Sequence, residues 1–217
     1  NFIMLDHQAR LWITVSTRQS PRAKGYRHDV ADGFIVLVDG HGARIVADNI
    51  GYTNEVYVTR DGQTLYANAT FARQTLAFDI DDKNNLCNRR IVAQYQKGIF
   101  PDGLTMDESG ALWITSIVSN SILRLDPKTS RVDLVVQDVE ESHVNWVEDA
   151  FMGGEMNSSH LSTAKSKVFK NISSLAFGGS DRHTLYLGCL LGEAVAVISG
   201  TVAGVAPAHW NFDSKTD

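Results

Sequence analysis

GIFPDGLTMDESGALWITSIVSNSILRLDP, residues 98–127, is the stretch on which the fold turns. Two short apolar, β-branched runs flank the turn-forming DESG, and a third run follows SNS. Runs of this length, bounded by Gly, Asp, Asn and Ser, read as short antiparallel strands. The unit recurs on both sides. Leu-aromatic pairs stand at Leu11-Trp12, Leu65-Tyr66, Leu112-Trp113 and Leu185-Tyr186. Each follows a turn (DHQAR, RDGQT, DESGA, GSDRHT) and, before it, another apolar run (FIML, EVYV, GLTM, SSLAF). A third run comes next (GFIVLVD, QTLAFDI, SILRLDP, AVAVIS), then a fourth (ARIVAD, RRIVAQY, RVDLVV and the weaker GTVAGVAP). Fourteen positions separate Leu65 from Asp79, Leu112 from Asp126 and Leu185 from Ser199. Twenty-eight separate Leu11 from Asp39, so the first unit carries a longer loop.

Four copies of a four-stranded unit, with little helix between them, predict an all-β fold of the β-propeller type, one blade per copy. A sandwich of unrelated strands would not keep the fourteen-residue offset. The chain of 217 residues reads as a single domain over residues 1–217, with 43% hydrophobic residues and only four prolines. A net charge of −5 argues against a nucleic-acid surface. No apolar run reaches the roughly 20 residues of a spanning helix, so no membrane contact is expected. Cys87 and Cys189 suggest neither a disulfide framework nor a zinc site, and a reducing, cytoplasmic setting is the expectation. No signal-peptide pattern is visible in the sequence, and with its start at Asn1 a leader is neither expected nor excluded.

In a propeller the first strand of each blade lines the central channel. Counting back from the Leu markers places Asn1, Asn54, Asp102 and Ser174 at one level, just before those strands. Amide, carboxylate and hydroxyl oxygens converging on an axis suit a hard cation in loose geometry. The alternative is that Asx residues merely shape the turns before strands.

Four stretches carry a family resemblance: TNEVYVTRDGQTLYANATFARQTLAFDIDD, NRR, IFPDGLTMDESGALWITSIVSNSILRLDPKT and ISSLAFGGSDRHTLYLGCLLG. They resemble the senescence marker protein/gluconolactonase/luciferin-regenerating-enzyme-like proteins, six-bladed propellers with a central divalent metal. The resemblance spans nearly the whole chain apart from residues 139–170. It implies four blades of a six-bladed ring, the missing N-terminal blades being supplied by the rest of the chain or by another chain. It implies metal ligands at Asn54 and Asp102, with Asp102 also the catalytic base, and a third metal- or substrate-facing residue at Asn1. The family's remaining ligand, a first-blade glutamate, has no counterpart. The implied cofactor is a divalent metal, Ca²⁺ first, with Zn²⁺, Mg²⁺ or Mn²⁺ as alternatives. The implied activity is a metal-dependent hydrolase opening a sugar or small-molecule lactone. The alternative is a non-catalytic propeller that binds a small ligand or protein partner at its top face. No G-x-S-x-G elbow is present, so a serine hydrolase is disfavoured.

Two insertions should open at the same mouth. The first, residues 17–32, carries Arg18, Arg22, Lys24, Arg27 and His28 beside Tyr26 and reads as a cationic rim, with Arg18 as the substrate-binding residue. The second, residues 139–170, contains SHVNWVEDAFMGG, a short amphipathic helix with Ser142 as N-cap, Val144, Val147 and Phe151 on its apolar side and Gly153 as stop. It reads as a lid, and His143 and His160 are candidates to face substrate. His209 and Trp210, in PAHWNF, are expected to pack on a neighbouring blade.

Overall fold

In a computed structural model, which describes residues 1–210, the four units fold as four antiparallel meanders. The first is β1 (Phe2–Leu5), β2 (Leu11–Val15), β3 (Gly33–Asp39) and β4 (Gly42–Ile50). The second is β5 (Thr53–Val58), β6 (Thr64–Ala69), β7 (Gln74–Ile80) and β8 (Leu86–Gln94). The third is β9 (Ile99–Met106), β10 (Leu112–Val118), β11 (Ser121–Asp126) and β12 (Arg131–Gln137). Helices α1 (Glu141–Met152) and α2 (Ser158–Leu161) intervene before β13 (Ile172–Gly178), β14 (Thr184–Cys189) and β15 (Ala196–Ser199). The first strands touch in series, β1 with β5, β5 with β9 and β9 with β13, so they line the axis. The arrangement is a β-propeller of four blades.

Alternation buries one set of side chains from each blade against the next. Trp12, Ile35 and Leu37 of the first blade meet Val56, Val58 and Leu65 of the second. Leu104, Leu112 and Leu123 of the third meet Ala77 and Val92 of the second. Trp113 and Ile122 meet Leu175, Phe177 and Leu187 of the fourth. Burying a side chain of this size stabilises by about 1.5–3 kcal/mol, so these interfaces dominate the fold's stability.

In two blades the turn before the marker pair is bolted by an aspartate. Asp6 Oδ2 accepts hydrogen bonds from Trp12 Nε1 (2.8 Å) and Arg10 Nε (2.7 Å), while its Oδ1 accepts from the backbone N–H groups of Gln8 and Arg10. Asp107 repeats this with Trp113 Nε1 and Arg124 Nε, both at 2.9 Å. Both carboxylates are buried, and saturation by N–H donors is what makes such burial tolerable. The Asp-to-Trp spacing in LDHQARLW and MDESGALW is therefore structural.

Two expectations are corrected. Among the described residues the fourth blade has three strands, because GTVAGVAP does not pair with β15. It crosses instead to the third blade, where Glu108 N–H donates to Ala203 O and Val205 N–H to Met106 O. Gly204 lies so close to Phe177 that a Cβ there would sit 2.1 Å from the ring, so only glycine allows the crossing. Helix α1 is capped at Glu140 rather than Ser142, which falls inside the first turn; Gly153 is the stop, as expected. Of PAHWNF, residues 211 and 212 lie outside the described residues; the Arg182 guanidinium sits over the Trp210 ring at 5.8 Å. No helix among the described residues is long and apolar enough to cross a membrane.

Candidate metal and active site

The register of the inner strands explains how their polar residues reach the axis. In β5, Thr53 pairs with Ala69 and Val56 with Ala67, so Asn54 and Glu55 together oppose the single residue Asn68. In β9, Pro101 pairs with Ser116 and Leu104 with Ile114, so Asp102 and Gly103 together oppose Thr115. In β13 the shift falls between Ile172 and Ser174. Each is a β-bulge, which breaks strict alternation and re-aims side chains. Asn54, Asp102 and Ser173 thus lie within the first strands rather than before them, whereas Asn1 does precede β1. The fourth-blade counterpart is Ser173, not Ser174, because the Phe177↔Leu185 turn is longer by one residue than Val58↔Leu65. The equivalent pairs are Asn1-Phe2, Asn54-Glu55, Asp102-Gly103 and Ser173-Ser174.

Side chains from the second strands, and Thr70 just after β6, hold these bulges. Asn68 Nδ2 donates to the carbonyls of both Asp102 and Gly103 at 3.1 Å, and its Oδ1 accepts from Thr75 Oγ1 at 2.8 Å. Thr70 Oγ1 donates to Pro101 O at 2.8 Å. Thr115 Oγ1 accepts from Gly103 N–H at 2.7 Å. At Gly103 a Cβ would come within 2.8 Å of Ser174 Cα, so glycine lets the third and fourth blades close on each other beside Asp102.

The bulges open into a cavity of about 310 Å³ lined by Asn1, Asn54, Glu55, Asp102, Ser173 and Ser174. Asn1 Nδ2 donates to Asn54 Oδ1 (2.7 Å) and to Thr53 O (3.2 Å), and Asn54 Nδ2 donates to Thr70 Oγ1 (3.0 Å). Burial pushes the Asp102 carboxyl up to about 7, against a hydrogen bond from the Asn54 side chain and the positive charge of Arg22. Asn1, Asn54 and Asp102 therefore meet at one place.

The insertions supply the rest of the wall. Arg22 and Tyr26 from the first line the cavity, as does Leu161 of α2 from the second. Tyr52, Phe71 and Ile117 complete an apolar side. Arg22 donates through Nε to Tyr52 Oη at 2.8 Å, and burial raises the Tyr52 hydroxyl above its ordinary value. Arg18 does not line the cavity. It pairs with Asp48 through two hydrogen bonds of 2.8 and 2.9 Å and lies over the Phe34 ring. The cationic rim residue at the cavity is Arg22, four positions on, where a 3₁₀ turn (Arg22–Gly25) re-aims the loop. His143 and His160 do not line it either. His143 is buried in α1, and His160 stacks on Trp146 at 4.3 Å while its Nδ1 accepts from Asn157 N–H.

Glu55 escaped the sequence reading. Next to Asn54 on a regular strand it would face the other way; the bulge turns it inward. Burial pushes its carboxyl up to about 8, against a hydrogen bond from Leu104 N–H (2.9 Å) and with the Asp102 charge adding to the rise. The detectable signal was the repeat itself, in which an acid stands where the third blade has glycine.

The structure is thus a β-propeller whose bulged inner strands turn carboxyl and amide groups into one axial cavity. Residues 1–164 match the family described as SMP-30/Gluconolactonase/LRE-like region, and the chain belongs to that family. It is 28% identical over 143 residues to regucalcin of Danio rerio, covering 64% of this chain and 38% of that protein. It is 27% identical over 139 residues to a pentonolactonase of Haloferax volcanii, covering 63% of this chain and 46% of that protein. The chain thus spans under half the length of these relatives. A solved luciferin-regenerating enzyme superposes with a TM-score of 0.69 at 18% identity, over 96% of this chain and 64% of that one.

Proposed function

We propose that the protein is a metal-dependent hydrolase that opens a sugar or small-molecule lactone at the propeller axis. The observation that carries this reading is the meeting of Asn54 and Asp102, from adjacent blades, in one cavity large enough for a small ring. Membership of a family whose description includes gluconolactonase supports it. The share of the luciferin-regenerating enzyme that four blades cover supports a ring of six.

The residues present fit a hard divalent cation. Asp102 is a carboxylate whose ionisation burial opposes, and a nearby cation would relieve that cost. Asn54 and Asn1 bring neutral amide oxygens, and Ca²⁺ accepts carboxylate and amide oxygens in variable geometry. Among the described residues the cavity lining contains carboxyl, amide and hydroxyl groups and neither His nor Cys, a donor set that suits a hard cation better than a thiophilic one. Asp102 and Asn54 would hold the ion, with Asn1 beside them. When bound, such an ion polarises a lactone carbonyl and raises the acidity of water.

The chain's own groups do the remaining work. Asp102 accepts a proton from the attacking water as its oxygen bonds to the carbonyl carbon. The bond from that carbon to the ring oxygen then breaks, the ring oxygen takes up a proton, and the product is a hydroxy acid. Arg22 at the rim orients the polar end of the substrate and draws the nascent carboxylate away. Tyr26, Tyr52 and Phe71 keep one side of the cavity dry.

The test is hydrolysis of a panel of γ- and δ-lactones by the full chain, followed by proton release. Asp102→Asn should lower kcat by at least about a hundredfold, the scale of a lost general base, while the far-ultraviolet spectrum stays unchanged. Chelation should abolish turnover and Ca²⁺ or Mn²⁺ should restore it. Full-rate hydrolysis in excess chelator, or metal binding with no turnover on any lactone, overturns the reading.

A further inference from the structure

The three bulges differ most at their second position, which is Glu55, Gly103 and Ser174 in turn; the equivalent residue of the first blade, Phe2, pairs regularly with Thr14. At Gly103 the backbones of adjacent blades close up, leaving no room for a side chain. At Glu55 the same place on the second blade holds a carboxylate that reaches towards the third. Its Oε2 accepts from Leu104 N–H at 2.9 Å, which fixes the side chain against β9 two residues beyond Asp102. Oε1 makes no hydrogen bond among the described residues, and Glu55 lines the same cavity as Asn54 and Asp102. No lysine lines that cavity, and its one guanidinium, Arg22, is engaged by the Tyr52 hydroxyl. Two carboxyl groups thus face a space in which the single guanidinium balances only one of them. Like charges brought this close into a partly desolvated space repel, and persist where something cationic comes between them.

We infer that Glu55 is the second acidic residue of the cation site, adding its charge and one carboxylate oxygen to those of Asp102 and Asn54. This rests on the metal-site reading above and deepens it. With Glu55 the site carries two formal negative charges against a divalent ion, which favours Ca²⁺ over monovalent competitors. Oxygen-ligand charge is a main determinant of Ca²⁺ affinity, and a lost supporting carboxylate lowers metal affinity about 10–100-fold.

The test is Ca²⁺ titration of the metal-free full chain by calorimetry, with the thermal midpoint of the metal-free form measured beside it. Glu55→Gln keeps an acceptor for Leu104 N–H and removes only the charge. It should weaken Ca²⁺ binding at least tenfold, while the metal-free midpoint does not fall, because Gln keeps the bond to Leu104 N–H and has no charge to desolvate. Glu55→Ser, which borrows the residue of the fourth blade, should give a similar loss of affinity and decides the matter if the first variant folds poorly. Asp102→Asn should lose Ca²⁺ binding outright. If Asp102→Asn loses binding while both Glu55 variants bind within twofold of the parent, this inference fails and the metal site stands. If Asp102→Asn binds as tightly as the parent, the metal-site reading itself fails.

Discussion

At the scale of single residues, the site shows how one backbone irregularity recruits neighbours. Asn54 and Asp102 were legible in the sequence because the blade repeat lines them up; Glu55 was not, because alternation predicts that adjacent strand residues face opposite ways. Arg18 and Arg22 show a similar limit. Both are arginines in one loop, and only the turn at Arg22–Gly25 and the competing carboxylate of Asp48 decide which faces the axis. This gives a paired prediction. Arg22→Ala should raise KM for an anionic or polyhydroxylated lactone about tenfold, the scale of a lost charge-assisted hydrogen bond, and leave kcat within about threefold. Arg18→Ala, whose side chain is held at the surface by Asp48 and the Phe34 ring away from the cavity, should leave both constants near those of the parent.

At the scale of elements, α1 is fastened to the ring by Glu148, whose Oε1 accepts from Gly98 N–H (2.6 Å) and Arg73 Nη2 (2.7 Å), and by Phe151 within an aromatic cluster containing Phe71 and Phe100. The helix was legible from its Val147 and Phe151 spacing and Gly153 stop, but its contacts were not. On its buried face His143 is 1% exposed, and neither ring nitrogen has a hydrogen-bond partner among the described residues. Burial holds its pKa below the ordinary value; the charges of Lys165 and His160 add to this, and Glu140 opposes it. The sign follows directly. The unfolded chain takes up the proton near pH 6.5 while the folded protein resists it, so the contribution of His143 to stability is full above about pH 6.5 and falls as pH drops below. His143→Leu, similar in volume and without the titrating ring, should flatten this dependence. Melting scans at pH 7.5 and 5.5 check it: the melting temperature of the variant relative to the parent should be higher at pH 5.5 than at pH 7.5.

At the scale of the whole molecule, the arc of four blades has two faces that no blade covers. On the first blade Ile3, Ile13, Val36 and Ile45 form a row across the sheet, with Ile3 63% and Ile45 52% exposed. On the fourth, Ala176, Tyr186 and Val197 form another, with Val197 58% exposed. Apolar rows of this kind are what propeller blades bury against each other, and exposed ones associate. The 217-residue chain prepared by itself should therefore self-associate with rising concentration. Ile45→Glu with Val197→Glu should shift light scattering toward the monomer without changing the circular dichroism spectrum. Scattering that is monomeric at all concentrations in the parent would mean that these faces are not adhesive.

The amino-acid sequence by itself determined the blade count, the marker register and the identity of the principal axial residues, because each follows from short-range spacing repeated along the chain. Only the tertiary structure decided that Glu55 turns inward, that Arg22 rather than Arg18 meets the cavity, and that the last segment crosses to the third blade. Those outcomes depend on bulges, competing ion pairs and the room left beside a single glycine. Each is set by contacts between residues far apart in the chain, which no local pattern encodes.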